Sequence, residues 1–126
     1  MKVSIDEWIK AAKESENASK VGMWLTHNGV VRISARAEVR EGKESKPVIA
    51  MEFSYDAEKL QAILSRGKAL PGIYYLKAEL ATGRLLPGDD IMFVLIGADT
   101  RPHAVDALNE IVGEIKSSCV VEKEIF

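Results

Sequence analysis

Two lysines near the C-terminus stand in rows that are otherwise apolar. With about 100° of turn per residue, Lys116 lies one helical turn beyond Val112 and close in angle to Val105, at the edge of an apolar stripe. Lys123 shares one side of a terminal strand pattern with Cys119, Val121 and Ile125. Burial strips a lysine of its hydration and lowers its pKa, whereas a nearby anion opposes that shift. Cations kept at such positions point to an anionic partner or to acid–base chemistry. A plainer reading is also physical: Lys116 complements the negative end of its helix, and Lys123 snorkels from an edge strand. Other chemistry-bearing residues read more simply. Asp89-Asp90 follows Pro87-Gly88 and suits a solvated turn, so no metal site is expected. Cys119, Trp8 and Trp24 are expected in the core.

The elements that must position the lysines follow from periodicity. Ser4 with Glu7 forms a capping-box pattern, and Ile5, Trp8, Ile9 and Ala12 share a helical face. Val21 to Thr26 reads as a strand, and Asn28-Gly29 as a tight turn. From Val31 to Arg40, apolar Val31, Ile33, Ala35, Ala37 and Val39 alternate with Arg32, Ser34, Arg36, Glu38 and Arg40, which predicts a half-buried strand. A charged loop, Glu41–Lys46, then leads to a strand over Val48–Tyr55 with Ile49, Met51, Phe53 and Tyr55 on one face, antiparallel to the preceding one. Asp56 caps a second helix that turns Ala57, Leu60, Ile63 and Leu64 inward and ends by Gly67 and Pro71-Gly72. A strand over Ile73–Leu80, a turn-rich stretch Thr82–Asp90 and a buried strand Ile91–Ile96 follow. Pro102 suits the first turn of a third helix with the inward stripe Val105, Leu108, Ile111, Val112 and Ile115, before a closing strand Cys119–Phe126. The order predicts an α+β fold: two layers, a mainly antiparallel sheet and about three helices.

Composition bounds the partners. The chain has 126 residues, 47% hydrophobic and 29% charged, which fits one domain over 1–126. No internal repeat is visible. A net charge of -2 supplies no global positive field for nucleic acid, so any anion site must be local. The longest apolar run is too short to span a bilayer. The opening residues lack a secretory pattern and the lone cysteine has no intrachain partner, so a cytoplasmic protein is expected.

Read together, Gly29-Val30-Val31-Arg32, Gly83-Arg84-Leu85-Leu86-Pro87-Gly88-Asp89-Asp90, Arg101 before the third helix, and Lys116 and Lys123 seven positions apart form an ordered set, closed by Glu124 directly after Lys123. From about Gly22 onward this set resembles the large, catalytic subunit of molybdopterin synthase. The resemblance implies an α/β-hammerhead-type fold and a homodimer, or a heterotetramer in which each subunit of that dimer binds a small ubiquitin-like sulfur-carrier subunit. The carrier's C-terminal glycine thiocarboxylate would enter a pocket and transfer sulfur to cyclic pyranopterin monophosphate, an anionic pterin, in two rounds. No metal or cofactor is implied. By position, Lys116 and Lys123 match the family's catalytic lysines, Arg32 its strand-end arginine and Arg101 its helix-opening arginine. Thr100 stands where the family usually has histidine, with His103 nearby as a further substrate-binding candidate. Val39-Arg40 is a second match to the V-R element, and Arg36 shares its face.

The chain also departs from the family pattern. Leu80-Ala81 replaces His-Arg before the glycine turn, and Val120-Val121-Glu122 replaces a proline-aromatic approach to the second lysine. The sequence ends soon after Lys123, so a more open site is expected. Three readings follow: a sulfur-transferring synthase subunit, a non-catalytic carrier-binding or adaptor protein on the same fold, and an unrelated binder of small acidic metabolites.

Overall fold

The computed structural model describes residues 1–42 and 46–126, the side chains of 37–39 excepted. Its elements are α1 (Ile5–Ala12), β1 (Met23–Val30), α2 (Arg36–Glu41), β2 (Ala50–Tyr55), α3 (Ala57–Lys68), β3 (Ile73–Leu80), β4 (Gly83–Leu85), β5 (Asp90–Ala98), α4 (Arg101–Glu114) and β6 (Val120–Ile125). A π-helical turn, Ile115–Cys119, joins α4 to β6. Two antiparallel three-stranded sheets form, in the orders β1-β5-β3 and β4-β2-β6. The fold class is α+β.

β5 is apolar along nearly its whole length because both of its faces are covered. Met92, Val94, Ile96 and Ala98 join the cluster that contains Leu60 and Ile63 of α3 and Ile111 of α4. Phe93 and Leu95 point the other way, onto Trp8 and Ala12 of α1. The α1 cap is as expected, with Ser4 Oγ accepting from the Glu7 backbone N–H at 3.3 Å. Asp56 caps α3 in the same manner, accepting from Lys59 N–H at 3.0 Å. Arg66 of α3 and Glu114 of α4 form an ion pair between the two helices.

The strand expected over Val31–Arg40 does not form. Residues 31–35 leave the sheet and Arg36–Glu41 is helical. The reason is pairing: the segment was expected to pair with β2, and both edges of β2 are taken by β4 and β6. Alanine, arginine and glutamate are also good helix formers. Val31 and Ala35 are buried as expected, but Ile33 is exposed, and the side chains of Ala37 and Val39 lie outside the described residues. So do residues 43–45 of the expected loop.

Asn28-Gly29 is no tight turn but the end of β1, where the register shifts between Gly29 and Val30. The shift leaves Ile91 of β5 without a β1 partner, and β1 departs from the sheet just beyond it. Ile49 precedes β2 and is exposed, while Ala50 and Met51 are both buried. The inward stripe of α4 is Ala104, Ala107, Ile111 and Ile115, with Val105 exposed. Two alanines at the contact let the helix lie close to the sheet, which rotates the larger Val105 outward.

Gly97 is needed where it stands: a β-carbon there would lie 2.5 Å from the Trp24 ring. Gly97→Ala should destabilise the fold by about 1–3 kcal/mol, the usual range for overpacking. Thermal denaturation checks this, and the loss should shrink in a Trp24→Leu background.

Candidate functional site

Four cations from three segments meet at one cavity. It has a volume of about 260 Å³ and is lined by Arg32, Arg36, Arg40 and Lys116, with Glu122 and Glu124, over a floor of Val30, Met51 and Ile91. Arg32 follows the end of β1, held by buried Val31 and by its own Nε donating to Ser34 O at 3.2 Å. Arg36 and Arg40 are one turn apart on α2. The Glu124 carboxylate accepts the Arg36 backbone N–H with both oxygens, at 3.0 and 3.3 Å, tying α2 to β6. Lys116 belongs to the π-helical turn after α4, anchored by fully buried Ile115. Ser118 Oγ donates to Glu114 O at 2.8 Å across the same turn. Widened turns of this kind often mark functional positions.

Lys123 does not share this cavity. In the β2–β6 register Glu124 pairs with Met51 and Lys123 with Glu52, so the pleat sends them to opposite faces. Lys123 lines another hollow with Glu52, Ser54, Arg84 and Val121. The expected row Cys119, Val121, Lys123, Ile125 therefore breaks up: Cys119 is buried, whereas Val121 is 66% exposed. The cause is the π-helical turn, which ends at Cys119 and resets the phase before the strand begins. The inner face of β6 carries Val120, Glu122 and Glu124 instead.

Thr100, Arg101 and His103 lie at the opposite end of α4 from Lys116. A helix of 14 residues is about 21 Å long, so no side-chain motion brings Arg101 to Lys116 within one chain. His103 Nδ1 and Asp99 Oδ1 are 2.7 Å apart, and the Thr100 backbone N–H also donates to Asp99 Oδ1, at 2.6 Å. Arg101 is exposed. The hydrogen bond to His103 is the main cause that holds the Asp99 carboxyl below the usual carboxylate range.

Sequence reasoning missed His27. It stands opposite Val94 in the β1–β5 register, on the face that α4 covers. Its Nε2 is buried without a hydrogen-bond partner among the described residues. Burial first, then the charge of Lys116, hold the imidazole below its ordinary pKa. The available signal was its place in β1, two residues after inward-facing Leu25. Arg36 and Arg40 were visible, but as one face of a strand.

Cys119 is buried, its thiol pKa pushed up by burial and its Sγ donating to Asp56 O at 3.4 Å. Asp89 accepts from Leu86 N–H at 2.8 Å and Asp90 from Asn28 Nδ2 at 3.1 Å, so both carboxylates brace the turn. Among the described residues, no group of three His, Cys, Asp or Glu side chains converges to hold a metal, and no helix is long and apolar enough to cross a membrane.

An α+β chain in which a strand end, a short helix and the end of the last helix bring four cations to one cavity falls in a class of folds electrostatically suited to an anion. Comparison with known families narrows it: the family described as MoaE protein matches residues 2–118. The chain belongs to this family, the large, catalytic subunits of molybdopterin synthase, which act in molybdenum cofactor biosynthesis. Solved structures share the fold. The MoaE protein of Burkholderia ambifaria MC40-6 is 22% identical with a TM-score of 0.75, covering 100% of this chain and 79% of that one. Molybdopterin synthase from Staphylococcus aureus is 17% identical with a TM-score of 0.75, covering 98% and 85%. A complex of subunits 1 and 2 of molybdopterin-converting factor from Helicobacter pylori 26695 gives 19% and 0.66, covering 97% and 78%. No curated protein matches the chain.

Two pH dependences follow. The folded pKa of His27 lies below its unfolded value near 6.5, so the unfolded chain binds the extra proton first and stability falls as pH drops below that value. His27→Phe should flatten this part of a stability–pH curve measured by denaturant titration. Asp99 is depressed in the folded state, so its contribution is present above the unfolded pKa of about 3.9 and lost as pH falls through the folded one. Asp99→Asn should therefore lower the melting temperature at neutral pH and have little effect at strongly acid pH.

Proposed function

We propose that this chain transfers sulfur from the C-terminal glycine thiocarboxylate of a small ubiquitin-like carrier subunit to cyclic pyranopterin monophosphate, forming molybdopterin. The observation that carries the reading is the meeting of Lys116 and Arg32, distant in sequence, at one cavity with an excess of cations. Both reactants are anionic. Arginine neutralises such groups through paired hydrogen bonds and lysine as a mobile point charge. The nucleophilic sulfur comes from the carrier. Lys116 orients the carrier tail beside the pterin and moves protons as the thiocarboxylate sulfur adds to the pterin and water is lost; hydrolysis of the acyl–sulfur bond then leaves the sulfur on the pterin and releases the carrier as a carboxylate. The Helicobacter pylori complex of two converting-factor subunits supports a small-subunit partner.

The reading includes a homodimer. Arg101 and Thr100 lie at the far end of α4 from Lys116, and Lys123 is on the other face of β6. A second copy of the chain is the means by which these groups would join the site built on Lys116 and Arg32, with His103 as an outer substrate contact.

A second reading, carrier binding without catalysis, is favoured by one observation: Glu122 and Glu124 face the same cavity and repel an incoming thiocarboxylate. One experiment separates the two. The purified chain is mixed with thiocarboxylated carrier and cyclic pyranopterin monophosphate, and molybdopterin is assayed. The synthase reading expects product from the wild type and a loss of about 10²–10⁴-fold in Lys116→Ala, the usual scale for removing a proton-transferring group. Undiminished product in Lys116→Ala overturns the assigned mechanism. Carrier binding with no product from the wild type selects the second reading.

A further inference from the structure

We propose that Arg36 and Arg40 form a clamp for a phosphate dianion, and that Glu124 is the positioning residue that aims them. The proposal deepens the synthase reading by naming which groups hold the phosphate, leaving Lys116 and Arg32 for the carrier tail. The two arginines are four positions apart on α2, which places their β-carbons about 6 Å apart on one side of the helix. Both line the cavity. Two guanidinium forks at that spacing can each give paired N–H donors to one phosphate, a geometry a single lysine does not provide.

Arg36 and Arg40 are exposed, as arginines of a short surface helix ordinarily are, but three contacts fix the approach of α2 to the cavity. Ala35, just before it, is 1% exposed. The Val48 backbone N–H donates to Ile33 O at 2.8 Å, tying the incoming chain to the residues before β2. Glu124 accepts the first N–H of α2 with both carboxylate oxygens. Glu124 therefore has two opposed effects on an anion in the cavity: its charge repels the anion, and its hydrogen bond holds the arginines that attract it.

Those effects separate by substitution, with inorganic phosphate as the probe and calorimetric titration of the full chain at low ionic strength as the measurement. The wild type should bind phosphate, Arg36→Gln and Arg40→Gln should each weaken it at least tenfold, and the double variant should show no binding. Glu124→Gln keeps a carbonyl acceptor for the Arg36 N–H and loses the charge, so it should bind phosphate at least as tightly as the wild type. Glu124→Ala loses the acceptor and should bind at least fivefold more weakly.

No binding by the wild type, or affinity within twofold of it in the double variant, overturns the clamp. Tighter binding in both Glu124 variants overturns the positioning role, since the residue then acts through charge alone. In the sulfur-transfer assay, Arg36→Gln should raise KM for the pterin with kcat little changed. Phosphate binding that needs the arginines in a chain making no molybdopterin leaves the clamp and removes the synthase reading. Product formation with phosphate binding indifferent to the arginines does the reverse.

Discussion

Burial of both faces of β5 is the constraint on which the rest of this structure depends. A strand covered on one side can tolerate polar residues at alternate positions, but Ile91 to Ala98 has none, so it must lie between layers. α1 covers one face through Trp8, and α3 and α4 cover the other. That arrangement fixes the line of α4. Because a helix is rigid over its length, it also fixes how far Arg101 at one end stands from Lys116 beyond the other.

The second sheet takes its role from the first. β2 is flanked on both sides, and the π-helical turn after α4 delivers β6 to one of its edges with Glu122 and Glu124 facing inward. The segment after β1 cannot pair with β2, both of whose edges are occupied, and folds as α2 with its first N–H on Glu124. The cavity thus gathers like charges that repel one another at short range, partly balanced by two carboxylates. Such a site is relieved when an anion enters, and this is the electrostatic basis of the proposal that anionic substrates bind there. His27 marks the opposite effect, a titratable ring kept neutral where burial and a neighbouring cation both disfavour its charge.

Much of the fold was legible in the residues. Ser4 and Asp56 announced the starts of α1 and α3 because a cap is a local hydrogen bond. The continuous apolar run of β5 and the family resemblance carried by Gly29, Arg32, the Gly83–Asp90 block and the two lysines pointed to the right family. The misread stretch was Val31–Arg40, where strand alternation and helix propensity conflicted and only pairing partners could decide. The face of Lys123 was misjudged for a related reason: a phase counted back from Cys119 crosses a π-helical turn that no residue pattern declares.

Local chemistry in the sequence therefore determined the caps, the buried central strand, the position of Lys116 at the end of the last helix, and the family. Which cations share a cavity was decided by tertiary structure alone. Strand edges are a limited resource set by the whole sheet, and the pleat of β6 follows from where the preceding turn releases the chain. Arg36 and Arg40 face Lys116, and Lys123 does not, because those two conditions are properties of the packed molecule and not of any stretch of residues.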